Sequence, residues 1–554
     1  MKKLLMATAA AGLLAGTMVG SVAHAEYQTA HRGGTMRIVA HSAAGTVDPM
    51  INYTLQYWQI YQGLYDGLLA FKKAPGADGF TKVPDLAEAM PAVSNDGKTY
   101  TFKLRKGIKF SNGQVLTTKD VVASFQRIFK VSSPTAGGFY SVIVGADKCL
   151  KEPATCTLDG GVVGDEAAGT IVINLTRPDA EFFDKIALPH ASILPADAPT
   201  ADVGSAPIPG TGAYYISAYD PNKGMTMARN PNFKVWSEDA QPDGYPDVIQ
   251  YDFGLTDEAQ VTAVENGEAD WMFDQVPTDR LGEVGTKFQT QVFLTPLTAW
   301  WYAPMNTNLA PFDNIKARQA VNFALDRNAM VKLFGGPALA SPVCQVLPPG
   351  FPGHVEYCPY TKDPGTKWSA PDLAKAKALV EESGTKGAKV TIIAEDTDAS
   401  KSIGTYMQSV LTDIGYVVDV KPISTNIQFT YIQNTNNKVQ ISITQWYQDY
   451  PAASDFLNIL FGCASFTPGS DSSVNIAGFC DKEIQAKMDA ALAQGVTDQA
   501  GANKAWAEVD KAVTDKAPMA ALFTPKHVDF VAKRVGNFQF NSQFYWMMSQ
   551  SWVQ

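Results

Sequence analysis

The reading of the fold turns on VQISITQWYQDYPAASDFL, residues 439–457. Val439, Ile441 and Ile443 alternate with Gln440, Ser442 and Thr444, the period of two that marks a half-buried strand. The alternation breaks into Trp446, Tyr447, Gln448, Asp449 and Tyr450, and Pro451 has no N–H with which to continue a ladder. Behind it, Phe456, Leu457, Leu460 and Phe461 predict a short helix with Ser454 or Asp455 as its cap. One carboxylate therefore stands among aromatic rings at the end of a strand, the place where α/β folds bind ligands. Spacing alone leaves two readings: a solvated loop acid beside core aromatics, or a group that holds a ligand.

Working outward, the segment closes an alternating unit. Helix 373–383, strand 389–394, helix 400–414, strand 416–420 and helix 428–434 precede it, which argues an α/β domain with a largely parallel sheet. Before that unit, 292–306 reads as one strand crowded with Trp300, Trp301 and Tyr302. Residues 313–334 read as one helix with Ala317, Ala320, Val321, Ala324 and Leu325 as its buried stripe. After the unit come helices at 482–493 and 500–516 and terminal strands at 520–523 and 528–531. Near the start, 35–40 is a short apolar strand, followed by Tyr53, Tyr57, Trp58 and Tyr61, either a core helix face or a pocket wall. In 80–130, Tyr100, Phe102 and Leu104 give a strand, and Ile108 and Phe110 begin a second. Thr117 and Asp120 then form a capping box, with Leu116 and Val121 at the staple positions.

At 554 residues the chain exceeds one ordinary hydrophobic core, so two or more domains are expected. Hydrophobic residues at 45% and charged residues at 18% give a globular balance rather than a disordered one. Residues 1–25 read as a secretory signal, with Lys2 and Lys3 before an apolar Ala/Gly-rich run and Ala23-His24-Ala25 as the cleavage site. The formal net charge is −10, and about −12 once the leader is removed, which disfavours nucleic acid or an anionic membrane as partner. No cysteine lies near the cleavage point, so no lipid anchor is expected, and export in a Gram-negative cell means the periplasm.

Six cysteines in an oxidising compartment imply disulfides, with 15 pairings open to them. Sequence neighbours are the simplest choice: Cys149 with Cys156, Cys344 with Cys358 and Cys463 with Cys480. There is no C-x-x-C, no Walker loop, no G-x-S-x-G and no H-E-x-x-H, so no metal, cofactor or catalytic residue is expected. His31, His41, His190, His354 and His527 are each read as surface or hydrogen-bonded core histidines. The balance tilts towards binding.

Several blocks then resemble one family, the extracellular solute-binding proteins of bacterial ABC importers, oligopeptide/dipeptide-binding branch. They are YTFKLRKGIKFSNGQVLTTKDVVASFQRI (100–128), GTGAYY (210–215), ARNPNF (228–233), NGEADW (266–271), NTNLAPFDNIKARQAVNFALDR (306–327) and QWYQDYPAASDFLN (445–458), in family order. The resemblance implies the large, type II periplasmic binding protein fold, two lobes with an extra domain inserted in the first. Lobe one would comprise 26–60, 195–298 and 525–554; the inserted domain 61–194; lobe two 299–524. Hinge crossings would fall near 299–302 and 522–525. Such proteins close on a solute, do no chemistry and hand the solute to a membrane permease; a monomer is expected. In peptide-binding relatives the acid of W-x-x-D-Y pairs with the peptide α-ammonium, which implies that role for Asp449, with Trp446 and Tyr447 lining the pocket. Where some relatives carry an arginine for the peptide C-terminus, this chain has Ile443, which puts a tripeptide-length ligand in doubt. Tyr140, Trp300, Trp301 and Tyr53 are further candidates. Metal chelates, haem, opines and oligosaccharides stay open as ligands; a secreted hydrolase and a receptor-coupled sensor are the rival roles.

Overall fold

The alternating unit before residue 443 folds as its periodicity requires. In the computed structural model, which describes residues 29–43 and 45–554, strand Lys389–Glu395 is flanked in parallel by Val417–Ile423 and Ile441–Ser442. Helix Leu373–Ser383 leads into the first of these strands, and helices Asp398–Asp413 and Thr425–Gln433 connect the three. Ile403, Met407 and Leu411, four residues apart, are the buried stripe of the middle helix. Gly404 lets that helix sit close, since a Cβ there would stand 3.1 Å from Val420. The expected signal segment, 1–25, lies outside the described residues.

At Ile443 the chain leaves this sheet for another. Thr444–Tyr447 pairs antiparallel with Ala299–Pro304, so one short run belongs to two sheets. The second sheet is organised by the long strand Met519–Phe530, whose first half pairs with Ala299–Pro304 and whose second half pairs with Val292–Pro296. This corrects two expectations. The single strand over 292–306 is two strands turned at Leu297-Thr298, and the two terminal strands are one. The polar and proline residues Thr524, Pro525 and Lys526 interrupt the apolar pattern where the strand exchanges partners, and they do not end it.

Three further expectations are corrected. The helix over 313–334 is two helices, Ile315–Ala324 and Arg327–Phe334, because the Asp326 carboxylate accepts the N–H groups of Asn328 and Ala329 and starts a new one. Ile108 and Phe110 are buried but form no strand; only an isolated bridge joins Lys109 to Val115. Ser454 and Asp455 do not cap the helix Ala453–Phe461. They lie in its first turn, with Ala452 at the cap position.

Towards the N-terminus, a five-stranded sheet runs in the order Trp271–Met272, Thr35–Ala40, Val248–Phe253, Gly224–Arg229, Tyr214–Asp220. A separate antiparallel sheet of Ala92–Ser94, Thr99–Lys103, Thr170–Asn174 and Val162–Asp165 carries helix Thr118–Lys130, entered through the Thr117/Asp120 capping box with Leu116 and Val121 both buried. The three neighbour disulfides, Cys149–Cys156, Cys344–Cys358 and Cys463–Cys480, are formed. Among the described residues no helix is long and apolar enough to cross a membrane.

Candidate functional site

Thr444–Tyr447 ends against a cavity of about 340 Å³. One wall comes from the N-terminal segment around Tyr53, from 273–279, and from the C-terminal residues His527, Asp529, Phe540 and Tyr545. The facing wall comes from Trp301, Phe334, Glu395, Phe429 and the run 444–449. Residues nearly 500 positions apart in sequence thus share one space.

Asp449 is fixed by three contacts. Its N–H donates to the Asp455 carboxylate at 2.9 Å, its C=O accepts from Gln543 Nε2, and its own carboxylate accepts the Tyr53 hydroxyl. It is only 5% exposed. Burial pushes its carboxyl up to about 7 against the opposing pull of the Tyr53 and Asp455 hydrogen bonds. Burial and the neighbouring Asp449 carboxylate raise Asp455 well above its ordinary value as well. Burial, with Asp449 next to it, also holds the Tyr53 phenol well above its ordinary value, so it stays a donor. Two carboxyl groups on one small patch, with no cation between them among the described residues, form a site that takes up either a proton or a positive guest.

Trp446 meets Tyr53 edge to face at 5.3 Å, and Tyr447 meets Tyr545 in the same way at 6.1 Å. Trp301 lines the cavity and stacks on Phe523. Asp449, Trp446, Tyr447, Trp301 and Tyr53 are therefore brought together. Tyr140 and Trp300 are not, which corrects both expectations. Tyr140 is fully buried and donates to the Lys185 carbonyl at 2.9 Å, and Trp300 is fully buried in a stack on Tyr302. Each is consumed by core packing.

Sequence reasoning passed over a second acidic group. Glu395 ends its parallel strand at the cavity, and Asp274 and Asp257 stand there from the facing wall. Burial raises Glu395 to about 7; burial and Asp274 raise Asp257 to about 6; burial raises Asp274 as well. Burial pulls the His527 imidazole down, but Asp529 at 3.1 Å outweighs it and the net shift is upward. A signal existed for Glu395, an acid at the carboxyl end of a parallel strand. Asp274 and Asp257 carried none, since only the tertiary fold brings them to the cavity.

These shifts have a consequence for stability. A carboxyl raised from about 4 in the unfolded chain to 6–7 in the native state contributes stability that is complete below pH 4 and lost as pH rises through 7. Asp449, Glu395 and Asp257 all act in this direction. Ligand-free protein is therefore expected to melt several degrees higher at pH 5.5 than at pH 8, by differential scanning calorimetry. A flat or opposite profile contradicts the burial of these groups.

Comparison with known proteins gives one consistent result. The model of the bacterial extracellular solute-binding proteins, family 5, middle region, matches residues 81–468. The glutathione-binding protein GsiB of Salmonella choleraesuis (strain SC-B67) is 24% identical over 507 residues, 89% of each chain. GsiB of Escherichia coli O157:H7 is 25% identical over 512 residues, again 89% of each. Among solved structures, the Escherichia coli murein tripeptide binding protein MppA superposes with a TM-score of 0.79 at 21% identity, covering 94% of this chain and 98% of its own. The clavulanic acid biosynthesis oligopeptide binding protein 2 does so with 0.78 at 23%, covering 94% and 96%.

Proposed function

The chain belongs to the bacterial extracellular solute-binding proteins of family 5, and on that premise we propose that it captures a small amine-bearing solute, a short peptide, between two lobes and delivers it to the permease of an ABC importer. The fold is the two-lobed one of that family. The observation that carries the ligand class is Asp449, a buried carboxylate inside the cavity whose side-chain partners among the described residues are a neutral phenol and a second acid. A dry cleft with that charge needs a cation to complete it. A neutral sugar leaves the charge unmatched. The names of the relatives point the same way, towards glutathione, oligopeptides and a murein tripeptide.

In this reading, lobe one is 26–60, 195–298 and 525–554, the inserted domain is 61–194, and lobe two is 299–524. The sheets support it, since the N-terminal five-stranded sheet falls within the first set and the sheet of Thr99–Lys103 within the second. The crossings between lobes fall near 299–302 and 522–525, where the Thr524 hydroxyl donates to the Ala299 carbonyl at 2.8 Å. Tyr53 on Asp449 spans the two lobes, so closure and ligand grip use the same carboxylate. The protein acts as a monomer in the periplasm after loss of 1–25, and carries out no chemistry on its ligand.

Calorimetric titration of refolded, ligand-free protein with di- to pentapeptides tests this. Free peptides bind and their N-acetylated forms bind at least about 100-fold worse, as expected when a buried ion pair is lost. Affinity falls about tenfold for each pH unit below 7, because the proton and the ammonium compete for Asp449. Equal affinity for free and acetylated peptides overturns the assignment.

A further inference from the structure

The charge of the cavity is one-sided. Among the described residues, seven carboxyl side chains line it against a single imidazole, that of His527, and no lysine or arginine. The His527 imidazole is already engaged by Asp529. Asp449 accounts for one cation. At the other end, the buried Glu395 carboxylate has one polar side-chain contact, Gln445 Nε2 at 3.3 Å. Asp274 accepts the His41 N–H at 2.6 Å and Gln260 Nε2 at 2.8 Å, both neutral donors. Asp257 has the His41 ring 3.9 Å away and the more distant Lys401 ammonium, which Asp396 and Asp398 already hold. A solute with one ammonium leaves this second group of acids unanswered, and a solute with an extended anion meets no matching charge.

A second observation comes from between the two ends. Trp446 lines the cavity, is 4% exposed, and its Nε1–H has no acceptor among the described residues. A buried donor without a partner costs about 1–3 kcal/mol, which a carbonyl on the guest removes. Gln445, which reaches Glu395, and Asp449 are four residues apart, at most about 14 Å of extended backbone. A guest that bridges the two ends therefore needs no more than three or four peptide residues.

We infer that the solute is a basic peptide with two positive groups, its α-ammonium at Asp449 and a lysine or arginine side chain at Glu395, flanked by Asp274 and Asp257, with a backbone carbonyl on Trp446 Nε1. This rests on the reading of the cavity as a peptide site.

Calorimetry with two probes separates the two claims: Gly-Gly-Lys-amide, and Gly-Gly-norleucine-amide, which keeps the side-chain length and lacks the charge. The lysine peptide is expected to bind wild-type protein at least about 30-fold tighter. Glu395→Gln reduces that advantage to about threefold or less and leaves the norleucine peptide unchanged. Should Glu395→Gln fail to fold, Asp257→Asn, at a less buried position, is expected to shrink the advantage several-fold. Equal binding of the two probes to wild type, or an advantage that survives the substitution, overturns the second cation site while the Asp449 site stands. Failure of both probes to bind overturns the peptide reading and this inference together.

Discussion

Asp449→Asn lowers affinity for a free-amine peptide by two to four decades and at the same time raises the melting temperature of the ligand-free protein. Both halves follow from one buried charge. The loss of binding is the cost of breaking a buried ion pair from one side, about 3–5 kcal/mol. The amide keeps the size of the carboxyl and still accepts the Tyr53 hydroxyl, so the pocket retains its shape. The gain in stability has the opposite sign because Asp449 sits against Asp455 with no cation paired to either among the described residues, and burial already pushes its carboxyl up to about 7. Above that pH the wild-type fold carries a charge it holds at a cost, and the amide removes it. N-acetylated peptides bind the variant no worse than free ones, since there is no carboxylate left for the ammonium to lose. Isothermal calorimetry with paired peptides and thermal unfolding at pH 8 measure both. A variant that binds free peptides as wild type does removes Asp449 from the site; one that binds weakly and also melts lower assigns Asp449 a packing role.

What was legible in the sequence follows the range of the interactions involved. The parallel unit over 373–443 and the capping box at Thr117 are local, written in periodicities and in contacts a few residues apart, and they stand where the pattern put them. The errors share a cause. The break at Asp326, the turn at Leu297-Thr298 and the continuous strand Met519–Phe530 depend on which distant strand or helix takes the next pairing, and no local pattern encodes that. The site shows the same division. Asp449 was visible because strand, aromatics and Pro451 lie within a dozen residues. Its hydroxyl donor is Tyr53, its backbone clamp is Gln543, and the other acids of the cavity come from 257, 274 and 395, which only the tertiary fold assembles. Tyr140 and Trp300 failed for the reverse reason: a large aromatic fits the core as readily as a cavity wall, and both are used in the core.

The second large effect lies outside the cavity. Arg127, in the helix Thr118–Lys130, donates Nη1 and Nη2 to the two oxygens of Asp48 at 2.9 and 2.5 Å, with side chains 4% and 0% exposed, and its Nε reaches the Pro199 carbonyl at 2.6 Å. Asp48 also accepts the Met50 N–H, in a turn that Asn52 closes by donating to the Thr46 carbonyl at 2.6 Å. That turn ends at Tyr53. Arg127→Met leaves a buried carboxylate without its cation, and Asp48→Asn leaves a buried guanidinium without its anion, so each is expected to cost about 3–5 kcal/mol in urea unfolding. The double variant is expected to cost much less than the sum, because it removes both charges and the desolvation each carried. Additive losses would mean that the two groups do not act as a pair. Peptide affinity supplies the functional reading. If the turn positions Tyr53, each single variant weakens binding several-fold while N-acetylation still matters, since Asp449 remains in place to hold the ammonium. Unchanged affinity in a destabilised but folded single variant would confine the pair to the scaffold.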